Sequence, residues 1–537
     1  VGANSAYALT TGGNNVAIGS AALQVHTTGA RNITIGYGAM NDTDAGSDSL
    51  NSDDNIFIGY DAGGGTWANA ETNNCVAIGN YAMDSALGYA ALGSVTTADS
   101  SIAVGKEALL SVTTGDGNIG IGQHAMHVHT TGARNIAIGR YAMDDTDAGS
   151  NSLGSVDNIF MGYSAGGGTW ADAASNYNIG IGSYTLDGAL DGAGGNVAIG
   201  YQAMSATTTS DNMVVIGMQA GENVSTGASS VIVGKDAGRA FYTTTNSVLI
   251  GYSAGEYIGQ GNTGATDSVH IGFTTGKYAT GSYNTFVGSE AGVGGTTSAP
   301  YSSGEQNTAL GWNALLNFTT GEKNVAVGVN ALTNLNTGYR NIGIGDRAGQ
   351  GISSGHSGVY IGYLAGYGGN QSGNVAIGAE ALFTANSNSN VAVGYQAGMN
   401  TTANDGVWIG VSAGSTGAGG GQSVIVGHYA GRYMVGSQVT LVGRNAGYYA
   451  TGSYNTFVGP DAGKGGQTSA PYSSGQYNTA LGYQAFDGFT TGGNNVAVGK
   501  QAGGAITTGD NNVAIGVDAL DAATTVDSNT AVGYKAG

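Results

Sequence analysis

Of 537 residues, 100 are glycine and only 9% are charged, and the formal net charge of −20 argues against nucleic acid or an anionic membrane as a partner. Three prolines, no Gly-X-Y period and 41% hydrophobic residues exclude collagen and compositional disorder. A single cysteine, Cys75, excludes a disulfide framework.

The first element in the chain sets the pattern for the rest. NVAIG, residues 15 to 19, reads as Asn, apolar, any residue, apolar, Gly, and it returns at Asn196, Asn374 and Asn512, with NVAVG at Asn324, Asn390 and Asn495. Taking the closing glycine as a marker, units close at Gly19, Gly36, Gly59, Gly79, Gly105 and onward to Gly516 and Gly533, mostly 16 or 17 residues apart. Such a period overrides the length-based expectation of several globular domains. It predicts an all-β fold, one continuous parallel β-roll of about 30 coils over residues 1–537. At the stacking distance of parallel strands that makes a rod of about 140 Å.

Period two around the middle residue reads as a short strand, with the two β-branched residues expected to point into the coil and the middle residue outward. The middle residue is apolar or small in most coils and includes Phe57, Phe160, Phe286, Phe457 and Trp408. A stripe of that kind is too apolar to leave in water, so these residues are expected to face other subunits of a homotrimer. After the marker comes a second segment, as in SAAL at 20 to 23, whose Ala is nearly invariant along the chain; the polar residue before it (Asp61, Glu107, Arg347) is the expected solvent position. The marker Gly, the opening Asn and the recurrent TTG suit corners.

NNVAIGSAAL at 14 to 23, with NIAIGRYAM and NVAIGYQAM, resembles the head repeats of trimeric autotransporter adhesins of the YadA-like kind. TGSYNTFVG and TTGGNNVAVGKQAG are similar to the repeat shafts of phage-type tail fibres. The resemblance implies a left-handed β-roll and a trimeric extracellular fibre for attachment. That fibre would be the shaft or receptor-binding region of a viral tail fibre or, alternatively, the head of a bacterial surface adhesin, with a cell-surface glycan or protein as receptor. The ends fall in repeat register without a cap, the expectation for a segment of a longer fibre.

Further along, two blocks recur at long range. Residues 26–72 return 103 positions later at 129–175, and residues 278–328 return 171 positions later at 449–499, which most simply records duplication of multi-coil modules. Loops on a rigid scaffold are also where binding concentrates. Asp42, Asp44 and Asp48, repeated as Asp145, Asp147 and Asn151, alternate around a glycine as Ca²⁺ ligands do, and Ca²⁺ is the one cofactor considered; a solvated acidic turn is the plainer reading. His124, His127 and His129 offer a second metal candidate against the same kind of plain reading, a corner beside a TTG turn.

The tyrosines directly after the marker (Tyr37, Tyr60, Tyr163, Tyr201 and others) are expected to pack as a ladder on the side of the constrained Ala. Trp67, Trp170, Tyr301 and Tyr472, in the longer connections, are the candidate receptor contacts. GxSxG occurs, as in GYSAG at 162 to 166 and 251 to 255, but its glycines follow the coil period and not a strand-turn-helix elbow, and no HExxH or Walker motif occurs, so no enzyme activity is expected. A polysaccharide-degrading or an ice-binding solenoid are remote alternatives, the latter needing Thr-x-Thr arrays where the chain has TTG corners.

Overall fold

The structure is a computed structural model that describes residues 1–41, 51–64, 73–83, 99–112, 114–145, 154–258, 265–296, 301–417 and 419–537. It divides into two compact units, Val1–Thr280 and Gly281–Gly537. Each is a parallel β-solenoid, and no α-helix occurs among the described residues. Every strand is three residues long, and all but Thr226–Ala228 and Thr243–Thr245 end immediately before a marker glycine. Neighbouring coils pair in parallel and in the register the repeat demands, Val16 with Ile33 and Ile18 with Ile35 in the first unit, Val325 with Ile342 and Val327 with Ile344 in the second.

The strand faces are the reverse of the expected ones. Phe57, Phe160, Phe286, Phe457 and Trp408 are fully buried inside their own coils and have no surface left to offer a second chain. The flanking aliphatics point outward instead, Ile344 at 39% and Leu481 at 49% exposure. The interior is shared by the middle residue, the near-invariant Ala and the residue after that Ala, and their volumes compensate. Gly63, Gly166, Gly292, Gly414 and Gly463 follow coils whose middle residue is aromatic, whereas Met83, Leu109, Met143, Leu315 and Phe486 follow coils where it is Ala. A Cβ on Gly63 would lie 2.6 Å from Phe57 Cδ1, so the coil holds one large side chain at these two places and not two. Where both are small, as at Gly343 and Gly349, Leu332 and Tyr360 of the adjoining coils fill the space.

The marker glycine is required twice over. At Gly345 the backbone has φ +132° and an added Cβ would sit 2.6 Å from the carbonyl oxygen of Gly362 on the next coil. At the opposite corner the Asn row forms a buried ladder, as expected of it. Asn324 and Asn341 donate their backbone N–H to the side-chain oxygens of Asn307 and Asn324, at 3.0 and 2.9 Å. Their amide nitrogens donate to Gly338 and Gly355 carbonyls, at 2.9 and 2.7 Å. Cys75 stands in that row, buried, with its thiol pushed up to about 12 by burial, so it stays protonated and is a packing residue. The threonines of TTG make a second, hydroxyl ladder, Thr490 to the Thr507 carbonyl and Thr507 to the Thr524 carbonyl, at 3.1 and 2.9 Å.

Candidate aromatic groove on the second unit

In most coils the residue after the marker is more exposed than the one that follows it, a second departure from expectation, although Arg347 is exposed as expected. Tyr60 is 43% exposed and lies on Tyr37 with ring centroids 5.3 Å apart, whereas Asp236 and Asp461, one position later in their coils, are buried. The tyrosine row is therefore a surface row beside the outward aliphatics.

Six residues past the marker a different aromatic set forms. In the second unit Tyr433 and Tyr449 hold this place on consecutive coils and lie parallel, centroids 5.7 Å apart. The backbone fixes the spacing, because Tyr433 N–H donates to the Tyr448 carbonyl and Tyr449 N–H to the Lys464 carbonyl. Tyr472 joins them from the long connection after Gly459, 4.5 Å from Tyr433 and 5.9 Å from Tyr449. Its neighbour Ser473 pins that connection by donating its N–H to the Tyr449 carbonyl at 3.0 Å. Tyr448 stands edge-on to Tyr449 at 4.5 Å. The Arg432 guanidinium lies 4.9 Å over Tyr429 and donates to the Tyr448 hydroxyl at 3.1 Å. Its buried Nε–H has no hydrogen-bond partner among the described residues.

Between these rings runs an open groove lined by Tyr429, Asn445, Tyr448, Tyr449 and Lys464. Asn445 is held by donating to Asp461 at 2.9 Å, and Arg444 closes the other oxygen of Asp461 at 2.8 Å. Burial, helped by the surrounding phenols, raises the Tyr449 hydroxyl above its ordinary value; Lys464 lines the groove and Arg432 stands beside it over Tyr429. Half-exposed ring faces flanked by hydroxyl, amide and cationic donors suit an acidic sugar, whose C–H face stacks on a ring while its carboxylate meets a cation.

The first unit carries an aromatic pair at the same coil positions. Tyr257 and Tyr278 stack at 5.3 Å, but where the second unit has Arg432 the first has Glu256, bound to Lys277 at 3.0 Å. Tyr429 and Tyr448 are replaced by Ser253 and Lys277.

Of the residues singled out in the sequence, Tyr472 stacks on Tyr433 and Tyr449 beside the groove, and Tyr301 is partly exposed in the second unit. Trp170 is not a receptor contact: it is fully buried, edge-on to Phe160 at 6.0 Å, with its indole N–H donated to the Gly166 carbonyl at 3.1 Å. A large ring in a long connection was read as surface, but the thin coil needs such a ring to complete its core. Trp67, Asp42, Asp44, Asp48, Asp147 and Asn151 lie outside the described residues. Asp145 is described, and its carboxylate accepts a hydrogen bond from the Thr169 hydroxyl. Tyr433, Tyr449 and Arg432 were missed in the sequence; the available signal was a Tyr at the same coil position in successive coils.

No protein-family model matches the chain, and no curated protein matches it significantly. The functional reading therefore rests on geometry and on the repeat resemblance.

Proposed function

We propose that the chain is a structural attachment protein, a homotrimeric extracellular fibre whose subunits associate through the outward aliphatic rows and whose side groove binds an acidic glycan. The observation that carries this reading is the outward row itself. In each unit an aliphatic residue is presented immediately before the marker glycine of coil after coil, and a Val, Ile or Thr two positions earlier, with tyrosines of the row after the marker beside them. Covering the exposed part of each aliphatic is worth about 0.5–1 kcal/mol, repeated coil after coil. The partner that matches a row repeating at the spacing of stacked strands is another copy of the same row. Among carriers, the TGSYNTFVG style favours the shaft or receptor-binding region of a viral tail fibre over the head of a bacterial adhesin. Three grooves on one fibre would add multivalency to a weak single contact.

Light scattering of the segment tests the assembly. A three-chain particle is expected, and Ile344→Lys with Ile377→Lys should dissociate it while the β-rich circular dichroism persists. A wild-type monomer at tens of micromolar would overturn the proposal.

A further inference from the structure

In the first unit, three consecutive coils closed by Gly105, Gly122 and Gly139 bring four potential ligands to one place. Glu107 and His124 both stand two residues past a marker, in left-handed backbone with φ of 59° and 60°. His127 and Asp144 both stand five residues past one. The His124 backbone N–H donates to the Lys106 carbonyl, which stacks the coils in register. His124 Nε2 lies 3.0 Å from Glu107 Oε2, and His127 Nδ1 lies 3.8 Å from Asp144 Oδ1. The two imidazoles face each other with centroids 4.8 Å apart, and the ligand atoms of Glu107, His124 and His127 all lie within 4.8 Å of one another.

We infer that Glu107, His124, His127 and Asp144 form a binding site for a borderline divalent transition ion, Zn²⁺ or a neighbour such as Co²⁺, that ties three coils of the solenoid together. Two imidazoles and two carboxylates are the donor set for such an ion, whereas Ca²⁺ takes oxygen alone. Ligand atoms around a tetrahedral Zn²⁺ stand about 3.3 Å apart, so the closest pair already fits and the others close by side-chain rotation. Asp144 Oδ1 is a buried oxygen with no hydrogen-bond partner among the described residues, a cost that a cation would remove. Glu107 is partly neutralised from its other oxygen by Lys106 at 3.0 Å, and Arg140 donates to the Tyr141 hydroxyl at 2.8 Å.

Counting back 103 residues, the four positions are Asn4, Ala21, Gln24 and Asn41; only Asn41 falls within the duplicated block, and none of the four is His, Asp or Glu. His129 is not part of the site: it and its counterpart His26 are buried in the corner, their ring nitrogens 3.1 and 3.4 Å from the amides of Asn135 and Asn32.

The test is a Co²⁺ titration of the full chain near pH 7.5, followed by its visible ligand-field spectrum and by thermal melting. One Co²⁺ per chain is expected, displaced by Zn²⁺ but not by excess Ca²⁺, with the melting temperature raised on binding. His124→Ala with His127→Gln installs the residues found 103 positions earlier and should weaken binding by about 100-fold or more; Glu107→Gln should weaken it by about tenfold. His356→Ala with His428→Ala should leave it unchanged. A Co²⁺ affinity that is the same in the His124/His127 variant, or no saturable binding in the wild-type chain, would overturn the site. Should that double variant fail to fold, Glu107→Gln and Asp144→Asn decide between the same two outcomes.

Discussion

The two aromatic sites at equivalent coil positions of the two units share a scaffold and differ in charge. In the second unit Tyr433 and Tyr449 are flanked by Arg432 and Lys464, with Tyr429 and Tyr448 completing the walls. In the first, Tyr257 and Tyr278 stack in the same way, yet Glu256 takes the place of Arg432 and holds Lys277 in an ion pair. The stack is thus a consequence of the repeat, because any two tyrosines at that coil position are held one coil apart. The charge is free to change, because those side chains sit beyond the packed interior. What a groove binds can therefore be rewritten on this fold without touching what keeps it folded.

The shared part of the comparison predicts the largest effect. Beneath the second site Phe457 fills its coil and Gly463 stands against it, as Phe286 and Gly292 do in the other copy. Gly463→Leu should destabilise the second unit by about 3 kcal/mol, from overpacking. Leu itself is tolerated in this backbone, as Leu315 shows at φ 54° above Ala309. Adding Phe457→Ala should accordingly recover most of the loss, and denaturant unfolding of the single and double variants reads the coupling. Equal costs from Gly463→Leu with and without Phe457→Ala would refute the volume rule.

A smaller effect separates the copies in their interiors. His270 of the first copy stands where the second has Leu441, and burial lowers its imidazole to about 3. The unfolded chain, with an ordinary value near 6.5, binds the extra proton between about pH 6.5 and 3, so folded stability falls as pH falls through that window. His270→Leu should remove this loss, so its stability relative to wild type improves by about 2 kcal/mol between pH 8 and pH 5. Hydrogen exchange at residues 269–271 measures it locally. That choice matters, since Asp144 and Asp187, both raised to about 6 by burial, shift whole-chain stability in the opposite sense. No change in the pH dependence would mean that His270 carries its proton in the folded chain.

The smallest effect is on recognition. Arg432→Glu copies the charge of the first site onto the second and should weaken binding of a uronic- or sialic-acid glycan by about tenfold, roughly 1.4 kcal/mol, with the melting temperature unchanged. Glycan-array and titration measurements check it. Retained affinity for acidic glycans in Arg432→Glu, alongside loss of affinity in Tyr257→Ala, would move the binding site to the first unit.

Much of the architecture was legible in the chain. The spacing of marker glycines, the short strand before each of them and the corner role of Asn are all consequences of a repeat in which each coil can pair only with its neighbours; that the segment after the marker is a turn and not a second strand is not. The direction of the strand faces was also encoded, in the compensation between residues such as Phe57 and Gly63 or Ala77 and Met83. It was masked by the habit of placing β-branched residues inside. Only the tertiary structure decided that the aliphatics face outward and that Trp170 is core, because the interior of a thin coil is set by which side chains its closed backbone can enclose. Stacking also decided which distant residues meet. Tyr433, Tyr449 and Tyr472 come from three coils, as do Glu107, His124, His127 and Asp144, and their contact depends on the register between coils together with the rotamers at each corner. No pattern within a single repeat contains that information.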